Sequence, residues 1–399
     1  MNPAEPTRKI SSIKLAGNII IGAGSLDRLG DAATQFTQKD ALIVSDDMIK
    51  KVGILERVEE CLIKKSISYD IFTEVDPDPS IECALKVAQT ARQNDYSLII
   101  GVGGGSSLDM AKVASAMITN GGEVSEYIGV ELLKQKGVPL ILIPTTSGTG
   151  SEVTANAIVS SRTDLMKKGI VSPYLFPDLA IIDPTLTVSC PPKLTAYTGL
   201  DALSHNIEGF MALRSNPFSD ALALKATEFV FQYLPEAFSE GSNLEARYYM
   251  ALASLFGGMV IQGAGTCGGH AAAYAFAVKH NIPHGISCAL VLPYFMDFNS
   301  KSCPEKIASI GYAVSKTKDW SMNDAINIAV KSVFDLMKKL GTPTSLKELG
   351  IKKDAVSDIA KDIFKATRLL ENNPRQLSEK DATDLFNRIW EGETGAIPN

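Results

Sequence analysis

Four short apolar runs in the first half of the chain constrain the fold more than any other feature. They are rich in β-branched residues, and segments with a helical pattern near residues 50–65, 80–94 and 106–119 separate them. Continuously apolar strands with helices between them are typical of a parallel sheet that is covered on both faces. The residues before the first run, 11–30, are predicted to form a β-hairpin that leads into a helix. The predicted strands are ALIVSD (41–46), SLIIGVGGG (97–105), PLILIPT (139–145) and LAIIDP (179–184).

The second half of the chain has a different pattern. Strand patterns disappear, and long helical patterns follow one another. The clearest one has Ser321 as its N-cap residue and Asp324 in its first turn, and Gly341 ends it. The sequence therefore predicts an α/β domain over residues 1–187 and an all-helical domain over residues 188–399, with the cleft between them as the default place for a ligand.

Composition and charge are those of a cytoplasmic globular protein. Hydrophobic residues make up 45% of the chain and charged residues 21%, which is ordinary for this class. The net charge is −6 without a basic block, which argues against nucleic-acid binding. The first ten residues lack the apolar core of a signal peptide, and the six cysteines include no CxxC pair. We therefore expect a cytoplasmic location with reduced cysteines.

One long uncharged segment tests that expectation. Residues 248–278 contain no charged side chain and are long enough to span a bilayer. The segment is rich in glycine, carries Gln262 and His270, and has no Lys/Arg asymmetry that would support insertion. We expect buried helices of the helical domain and no membrane partner.

A glycine cluster follows the second predicted strand, in SLIIGVGGGSSLDMAK. Glycines allow a close approach of the backbone to an anion, and a helix N-terminus offers free N–H groups. The segment is not a Walker A loop, and Ser106 stands where G-x-G-x-x-G needs its third glycine. A tight strand-to-helix turn is the alternative, but three consecutive glycines favour a phosphate site.

Two further segments would complete such a site. Asp46 ends the first predicted strand, where a carboxylate can accept hydrogen bonds from a ribose diol and repel a 2′-phosphate. It is equally well explained as a helix N-cap. The segment IPTTSGTGSEVT (143–154) follows the third strand and holds more hydroxyl groups than a surface turn needs.

The four histidines of the chain are concentrated in its second half, and three of them fall within fifteen positions. Asp201 precedes His205 by four residues, so both face one side of a helix. With His270 and His284 they would provide three nitrogen ligands and one oxygen ligand, a set that suits Fe²⁺ or Zn²⁺. Hydrogen-bonded core histidines are the competing interpretation, and their concentration beside Asp201 favours the metal.

Together these segments resemble the iron-containing (group III) alcohol dehydrogenase family over roughly residues 12 to 395. The matching stretches are GGGSSLDMAK, PTTSGTGSEVT, SPYLFPDLAIIDPTLTVSCPPKLTAYTGLDALSHNIE and GGHAAAYAFAVKHNIPHG. The resemblance implies a Rossmann-like dinucleotide-binding domain followed by a helical domain, the architecture of dehydroquinate synthase. It also places Asp201, His205, His270 and His284 at the family's metal ligands.

The resemblance further implies a nicotinamide cofactor. Asp46 stands where family members that prefer NAD carry aspartate, so we expect NAD, with NADP as the less favoured alternative. Lys167 matches a lysine that approaches the cofactor ribose, and Lys168 is its immediate neighbour. The other implied cofactor contacts are Gly103, Gly104, Gly105 and Ser106 at the pyrophosphate, and Thr145, Thr146 and Thr149 along the adenosine side.

One position departs from the family pattern. Many members carry a histidine four residues after the third ligand, where it is assigned to proton relay, and this chain has Tyr274 there. Either Tyr274 or His280 is therefore expected to pass the proton. The implied reaction is hydride transfer between a primary or secondary alcohol and its aldehyde or ketone, assisted by a metal that polarises the substrate oxygen.

Other functions on the same architecture compete with this one. Glycerol dehydrogenases and maleylacetate reductases share it, and the complete ligand set argues against the metal-free reductases. Dehydroquinate synthase would need basic residues to hold a phosphate, which segment 248–278 lacks. A non-catalytic filament or scaffold would have little reason to keep four ligands. The resemblance also suggests a homodimer or a larger homo-oligomer.

Overall fold

A six-stranded parallel sheet dominates the N-terminal part of the computed structural model, which describes residues 12–37, 40–161 and 166–392. The strands run in the order β1-β9-β6-β4-β2-β3, and all neighbours are parallel. The strands of the described residues are β1 (Asn18–Ile21), β2 (Ala41–Val44), β3 (Tyr69–Phe72), β4 (Leu98–Gly103), β5 (Gly129–Val130), β6 (Leu140–Pro144), β7 (Asn156–Ser161), β8 (Met166–Val171) and β9 (Leu179–Ile182).

The four predicted strands are confirmed as β2, β4, β6 and β9. The predicted hairpin near the start of the described chain is wrong, because β1 pairs in parallel with β9 over Asn18↔Leu179 to Ile21↔Ile182. The residues after β1 do not turn back towards it, since Ser25–Arg28 form a 3₁₀ helix. A second sheet that the sequence did not predict has the order β5-β8-β7, with β7 and β8 antiparallel.

Helices cover both faces of the large sheet, as continuously apolar strands require. Alternate residues of β2 show the division: Leu42 and Val44 belong to one buried apolar cluster, and Ala41 and Ile43 belong to another. The first cluster includes side chains of α4 and α5, and the second includes side chains of α1 and α3. The helices of this part are α1 (Leu29–Ala33), α2 (Asp47–Lys51), α3 (Ile54–Ile63), α4 (Ile81–Gln93) and α5 (Gly105–Thr119).

The described chain after β9 is helical, as predicted. Ser321 is confirmed as the N-cap residue of α12, since its Oγ accepts a hydrogen bond from the Asp324 N–H at 3.2 Å. The helices are α6 (Pro192–Met211), α7 (Pro217–Ser239), α8 (Leu244–Ala264), α9 (Gly268–Phe276), α10 (His284–Ser300), α11 (Pro304–Ser315), α12 (Met322–Lys339), α13 (Val356–Asp362), α14 (Thr367–Leu370) and α15 (Glu379–Glu391).

The described residues form two compact units. One consists of Leu15–Pro191 together with Glu240–Ala251, and the other contains Pro192–Ser239 and the described chain from Leu252 onward, so α8 is divided between them. A domain boundary after residue 187 stays a prediction. The uncharged segment 248–278 lies largely in α8 and α9, whose axes differ by 103°. No single helix of the described chain is long and apolar enough to cross a membrane, although this bent pair passes the same test of length and composition.

A buried cation organises the loop that follows β6. The Lys112 side chain on α5 is fully buried, and its ammonium group lies 3.2 Å from Asp109 Oδ1. It also donates to Ser151 Oγ, Thr154 Oγ1 and the Asn156 carbonyl at 2.7–3.1 Å. These partners offset the cost of burying the charge and attach the loop to α5.

A buried acid lies in the same loop. Glu152 is 2% exposed, and burial raises the pKa of its carboxyl group to about 7, against the opposing effects of its own backbone N–H and of Lys112. Between pH 4.5, the ordinary pKa of this group, and about pH 7, the Glu152 carboxyl group therefore keeps a proton in the folded protein that it has lost in the unfolded chain. Stability must fall as the pH rises through this range, because the folded state binds more protons than the unfolded state.

Replacing Glu152 with Gln removes this pH dependence. Relative to the wild type, the free energy of unfolding of E152Q is expected to be higher at pH 8 than at pH 5 by about 2–3 kcal/mol. Urea unfolding at the two pH values measures the difference, with the exposed Glu56→Gln on α3 as the control. A difference between E152Q and wild type that does not change with pH contradicts the assignment of a protonated Glu152.

Candidate functional site

Helix α6 directs three polar side chains into the interior of the helical unit. Asp201, His205 and Glu208 are spaced by four and three residues, so they lie along one face of the helix. They are 3%, 5% and 0% exposed. Buried polar groups in such number need partners, and the polar side chains that face them come from two other helices.

Helices α9 and α10 bring the remaining two predicted ligands to the same place. His270 lies in the first turn of α9 and is 2% exposed, and His284 is the first residue of α10. The His205 and His270 rings are stacked with their centroids 5.0 Å apart, and the His270 and His284 rings are 5.4 Å apart. The structure therefore assembles all four predicted ligands from three helices.

Asp201 lies between two of the histidines. Its Oδ1 is 3.9 Å from His205 Nε2 and 3.7 Å from His284 Nε2. These distances exceed a hydrogen bond, so the three groups face one another without bonding directly.

Glu208 fixes the orientation of His270. Its carboxylate lies 2.7 Å from His270 Nδ1 and also accepts the backbone N–H groups of Cys267 and His270 at 2.9 and 3.1 Å. Burial alone would raise the pKa of the Glu208 carboxyl group, but the charge of His270 and these hydrogen bonds lower it. With the Nδ1 hydrogen directed at this carboxylate, Nε2 presents a lone pair to the cluster.

The cluster fits a divalent transition metal. Asp201 Oδ1 and His270 Nε2 are buried, and neither has a hydrogen-bond partner in the part of the chain that the structure describes. A buried carboxylate oxygen and a buried imidazole nitrogen without partners are costly unless an ion binds both. Nitrogen and carboxylate oxygen ligands suit Fe²⁺ and Zn²⁺.

Two glycines allow the helices to approach this closely. A Cβ atom on Gly269 would lie 2.5 Å from Glu208 Oε1. A Cβ atom on Gly285 would lie 2.1 Å from the Tyr197 carbonyl oxygen, which belongs to α6. A side chain at either position would therefore push α9 or α10 away from α6.

The sequence did not assign a role to two members of the cluster, Glu208 and Cys288. Glu208 follows His205 at helical spacing, so the pattern DALSHNIE contained the information that it shares their face. Cys288 lies one turn after His284 on α10, and its Sγ is 3.6 and 3.7 Å from the two ring nitrogens of His284. The same spacing rule applied to His284 would have found it.

The two candidate proton-relay residues differ in their surroundings. The Tyr274 ring is 6.2 Å from that of His270 and 5.8 Å from that of His284, so it borders the cluster. His280 lies beyond the end of α9, where burial and the neighbouring Lys279 lower the pKa of its imidazole. Among the described residues, the ring contacts of the cluster include Tyr274 and do not include His280.

The predicted nucleotide residues other than Lys167 follow the carboxyl ends of β2, β4 and β6 in the α/β unit. Gly103 has a φ of 145°, and a Cβ atom there would lie 2.6 Å from Ser107 Oγ. A Cβ atom on Gly105 would lie 2.7 Å from Thr149 Cγ2. Packing within the chain therefore requires a glycine at two of the three positions, Gly103 and Gly105. This agrees with the alternative interpretation, in which the glycines form a tight strand-to-helix turn.

Gly104 is different, because a Cβ atom would lie 3.5 Å from Thr146 Oγ1, an ordinary contact. Packing does not explain this glycine. The N-cap position of a long helix is also where backbone N–H groups can bind an anion, and Gly104 is the N-cap residue of α5.

Asp46 is the N-cap residue of α2, so the interpretation of Asp46 as a helix cap is confirmed. Its Oδ1 accepts hydrogen bonds from the N–H groups of Met48 and Ile49 at 3.0 and 3.1 Å. Its Oδ2 accepts one from Ser107 Oγ at 3.0 Å, which places the carboxylate at the glycine turn as well.

The other predicted nucleotide residues surround the same turn. The Thr145 N–H donates to the Gly103 carbonyl at 2.9 Å. Lys167 on β8 forms an ion pair of 3.1 Å with Asp78, whose own N–H donates to Ser106 Oγ at 3.3 Å. Lys167 is thus linked to the glycine turn through one residue.

Comparison with known proteins identifies two family models along the chain. The model described as "Iron-containing alcohol dehydrogenase" matches residues 16–184. The model described as "Fe-containing alcohol dehydrogenase family, C-terminal" matches residues 195–390. The two matches together cover most of the chain.

Similar proteins match over nearly their whole length. A long-chain-alcohol dehydrogenase of Geobacillus thermodenitrificans is 37% identical over 93% of this chain and 95% of its own. A sulfoacetaldehyde reductase of Bilophila wadsworthia is 33% identical over 94% and 97%. A solved 1,3-propanediol oxidoreductase superposes with a TM-score of 0.92 at 30% identity, over 96% of this chain and all of its own. A sulfoacetaldehyde reductase of Bifidobacterium kashiwanohense in complex with NAD⁺ gives 0.87 at 29% identity, over 96% and 99%.

Replacing Glu208 with Gln tests the role of this carboxylate. The amide keeps the shape but removes the charge that holds the Nδ1 hydrogen of His270. Affinity for Zn²⁺ is expected to fall by about 10–100-fold, the usual effect of losing such a partner. Competition with a chromophoric chelator measures it, and replacement of the exposed Glu236 on α7 with Gln is the control. Equal affinities of E208Q and wild type would show that Glu208 only caps α9.

Proposed function

The chain belongs to the iron-containing alcohol dehydrogenase family, and we propose that it transfers hydride reversibly between a primary or secondary alcohol and its aldehyde or ketone. It is a metal-dependent oxidoreductase that acts on alcohols with a nicotinamide cofactor. The observation that carries the proposal is the pair of buried atoms without partners, Asp201 Oδ1 and His270 Nε2, in one cluster with two further histidines.

Four side chains are proposed to hold the metal: Asp201, His205, His270 and His284. When bound, the metal supplies Lewis-acid polarisation of the substrate oxygen, and the nicotinamide supplies or accepts the hydride. Glu208 orients the His270 ring, with the Nδ1 hydrogen directed at this carboxylate and away from the ligand side. Burial of Asp201 and His270 excludes water from their side of the cluster and strengthens their electrostatic effect.

Tyr274 is proposed as the group that passes the alcohol proton. Its ring borders both His270 and His284 and is half-buried, so its hydroxyl group can donate and accept at the edge of the cluster. His280 is assigned no part in the relay, because its ring contacts none of the cluster rings among the described residues.

NAD is proposed as the cofactor in preference to NADP. The Asp46 carboxylate lies at the glycine turn through its contact with Ser107, and a negative charge there would repel a 2′-phosphate. Gly104 supports a phosphate at the same turn, because packing of the chain does not require a glycine there. The remaining proposed contacts are Gly103, Gly105, Ser106, Thr145, Thr146, Thr149 and Lys167.

Location and assembly are proposals that rest on sequence features and family membership. A cytoplasmic location agrees with the charge and composition of the chain. Assembly as a homodimer or a larger homo-oligomer, acting on a small-molecule alcohol, is proposed from the family. The names of its relatives include long-chain-alcohol, methanol, choline and 1,3-propanediol dehydrogenases. The substrate panel should therefore span chain length, charge and a second hydroxyl group.

Replacing His270 with Ala tests the metal assignment. Turnover is expected to disappear while cofactor binding is retained, because His270 lies in the helical unit and the proposed cofactor residues lie in the other unit. The loss should exceed the roughly 10–100-fold that an outer-shell change causes. NADH oxidation with the substrate panel, after stripping and reloading with Fe²⁺ anaerobically or Zn²⁺, measures turnover, and NADH fluorescence measures binding. Retained activity in H270A would remove the metal assignment.

Replacing Asp46 with Asn tests the cofactor assignment without removing the helix cap. Asn caps a helix about as well as Asp, so stability is expected to change little. The ratio of kcat/KM for NADPH to that for NADH should rise by about tenfold or more, which corresponds to roughly 1.4 kcal/mol. Asp46→Ala is the comparison in which both the charge and the cap are lost. An unchanged ratio in D46N would show that Asp46 caps α2 and does not discriminate between the two cofactors.

A further inference from the structure

The loop between β3 and α4 contains a residue with a strained backbone, Asp78. Its φ is 57°, in the left-handed region that residues other than glycine rarely adopt. Asp78 also precedes Pro79, and a residue before proline normally takes an extended conformation. Such strain persists only where the surrounding structure fixes it, and it is concentrated at functional sites.

Contacts with two neighbouring elements fix this loop. The Pro79 carbonyl accepts a hydrogen bond from the Ser160 N–H of β7 at 2.8 Å. Ser80 is the N-cap residue of α4, and its Oγ accepts a hydrogen bond from the Cys83 N–H at 3.2 Å. Ser160 is paired across the small sheet with Lys167 of β8. The loop is therefore anchored to the strand beside the one that carries Lys167.

Asp78 contacts two of the proposed cofactor residues from this anchored position. Its Oδ1 lies 3.1 Å from Lys167 Nζ, and only 13% of the Lys167 side chain is exposed. Its backbone N–H donates to the Oγ of Ser106, in the first turn of α5, at 3.3 Å. Ser106 Oγ forms no other hydrogen bond with the described residues, so its own hydrogen is available to an anion. One residue thus holds a cation and orients a hydroxyl group.

We propose that Asp78 is a positioning residue for the nicotinamide cofactor and acts through Lys167 and Ser106. The inference rests on the proposed function, because Lys167 and Ser106 are proposed cofactor contacts. The carboxylate holds a largely buried ammonium group in one place, so less side-chain entropy is lost when the cofactor binds. The N–H occupies a lone pair of the Ser106 hydroxyl group and leaves its hydrogen to donate to a phosphate.

The turn alone does not explain an aspartate at position 78. Glycine adopts a φ of 57° without strain and would form the same turn. The carboxylate is what glycine lacks, and its contact within the described residues is the ion pair with Lys167. The strained backbone is therefore the cost of placing a carboxylate at this position.

Two substitutions in the full-length protein, Asp78→Asn and Asp78→Gly, separate the carboxylate from the turn. Asparagine tolerates the left-handed region as aspartate does, and glycine adopts it freely. Both variants are expected to raise the Kd for NADH, measured by NADH fluorescence, by about three- to tenfold, the usual effect of losing a partly exposed charged contact. The urea midpoint of D78G should equal or exceed that of the wild type, because the strain is relieved. Asp76→Asn is the matched control, since Asp76 is exposed in the same loop and forms no ion pair within the described ranges.

Lys167→Met shows whether Asp78 acts through the ammonium group. In the K167M background, D78N is expected to raise the Kd for NADH by less than about twofold, because the partner of the carboxylate is already missing. An equal effect of D78N in both backgrounds would overturn the link to Lys167. Tighter binding of NADH by D78N would show that the carboxylate competes with the cofactor for Lys167, which would also overturn the proposal.

The outcomes distinguish this proposal from the proposed function. If the wild type binds NADH and turns over with metal, unchanged NADH affinity in D78N and D78G would overturn the role of Asp78 and leave the dehydrogenase in place. Failure of the wild type to bind NADH would instead overturn the cofactor assignment, and this proposal with it. Steady-state kinetics give a second measurement: D78N should raise the KM for NADH and change kcat little, whereas a lower kcat at an unchanged KM would contradict a positioning role.

Discussion

The helical unit depends on a single buried carboxylate. Glu208 accepts the N–H groups of Cys267 and His270 and the Nδ1 hydrogen of the His270 ring. Helix α9 has no side-chain cap of its own at Cys267, so Glu208 caps it from α6. A negative charge in this position costs free energy unless the helix N-terminus and the imidazole compensate it. One residue thus joins α9 to α6 and also sets the direction of the nitrogen that is proposed to bind the metal.

The α/β unit uses one side chain for two tasks in a comparable way. Asp46 caps α2 with one oxygen and contacts Ser107 at the glycine turn with the other. The cap fixes the position of the carboxylate at the end of β2, where the proposed contact with the cofactor ribose would be made. Rigid placement of a charge by the fold is what cofactor discrimination requires, because a mobile carboxylate would be screened by water.

The sequence predicted the elements that carry their own pattern and missed those that depend on partners. The continuous apolar runs predicted β2, β4, β6 and β9, whereas the edge strand β3 exposes Asp70 and Ile71 and shows no such run. The hairpin prediction failed because β9, a parallel partner 161 residues along the chain (Asn18↔Leu179), takes the place of a local one. The role of Glu208 was missed because its partners, Cys267 and His270, lie about sixty positions along the chain at the start of α9.

All candidate ligands lie on α6, α9 and α10, within the helical unit, and this has a consequence for the lifetime of the protein. An ion that binds the folded cluster and not the unfolded chain stabilises that unit by mass action, while the α/β unit gains nothing directly. Chains synthesised under metal starvation are therefore expected to open first in their helical half and to be degraded by proteases there. The abundance of the protein would then report the metal supply of the cell.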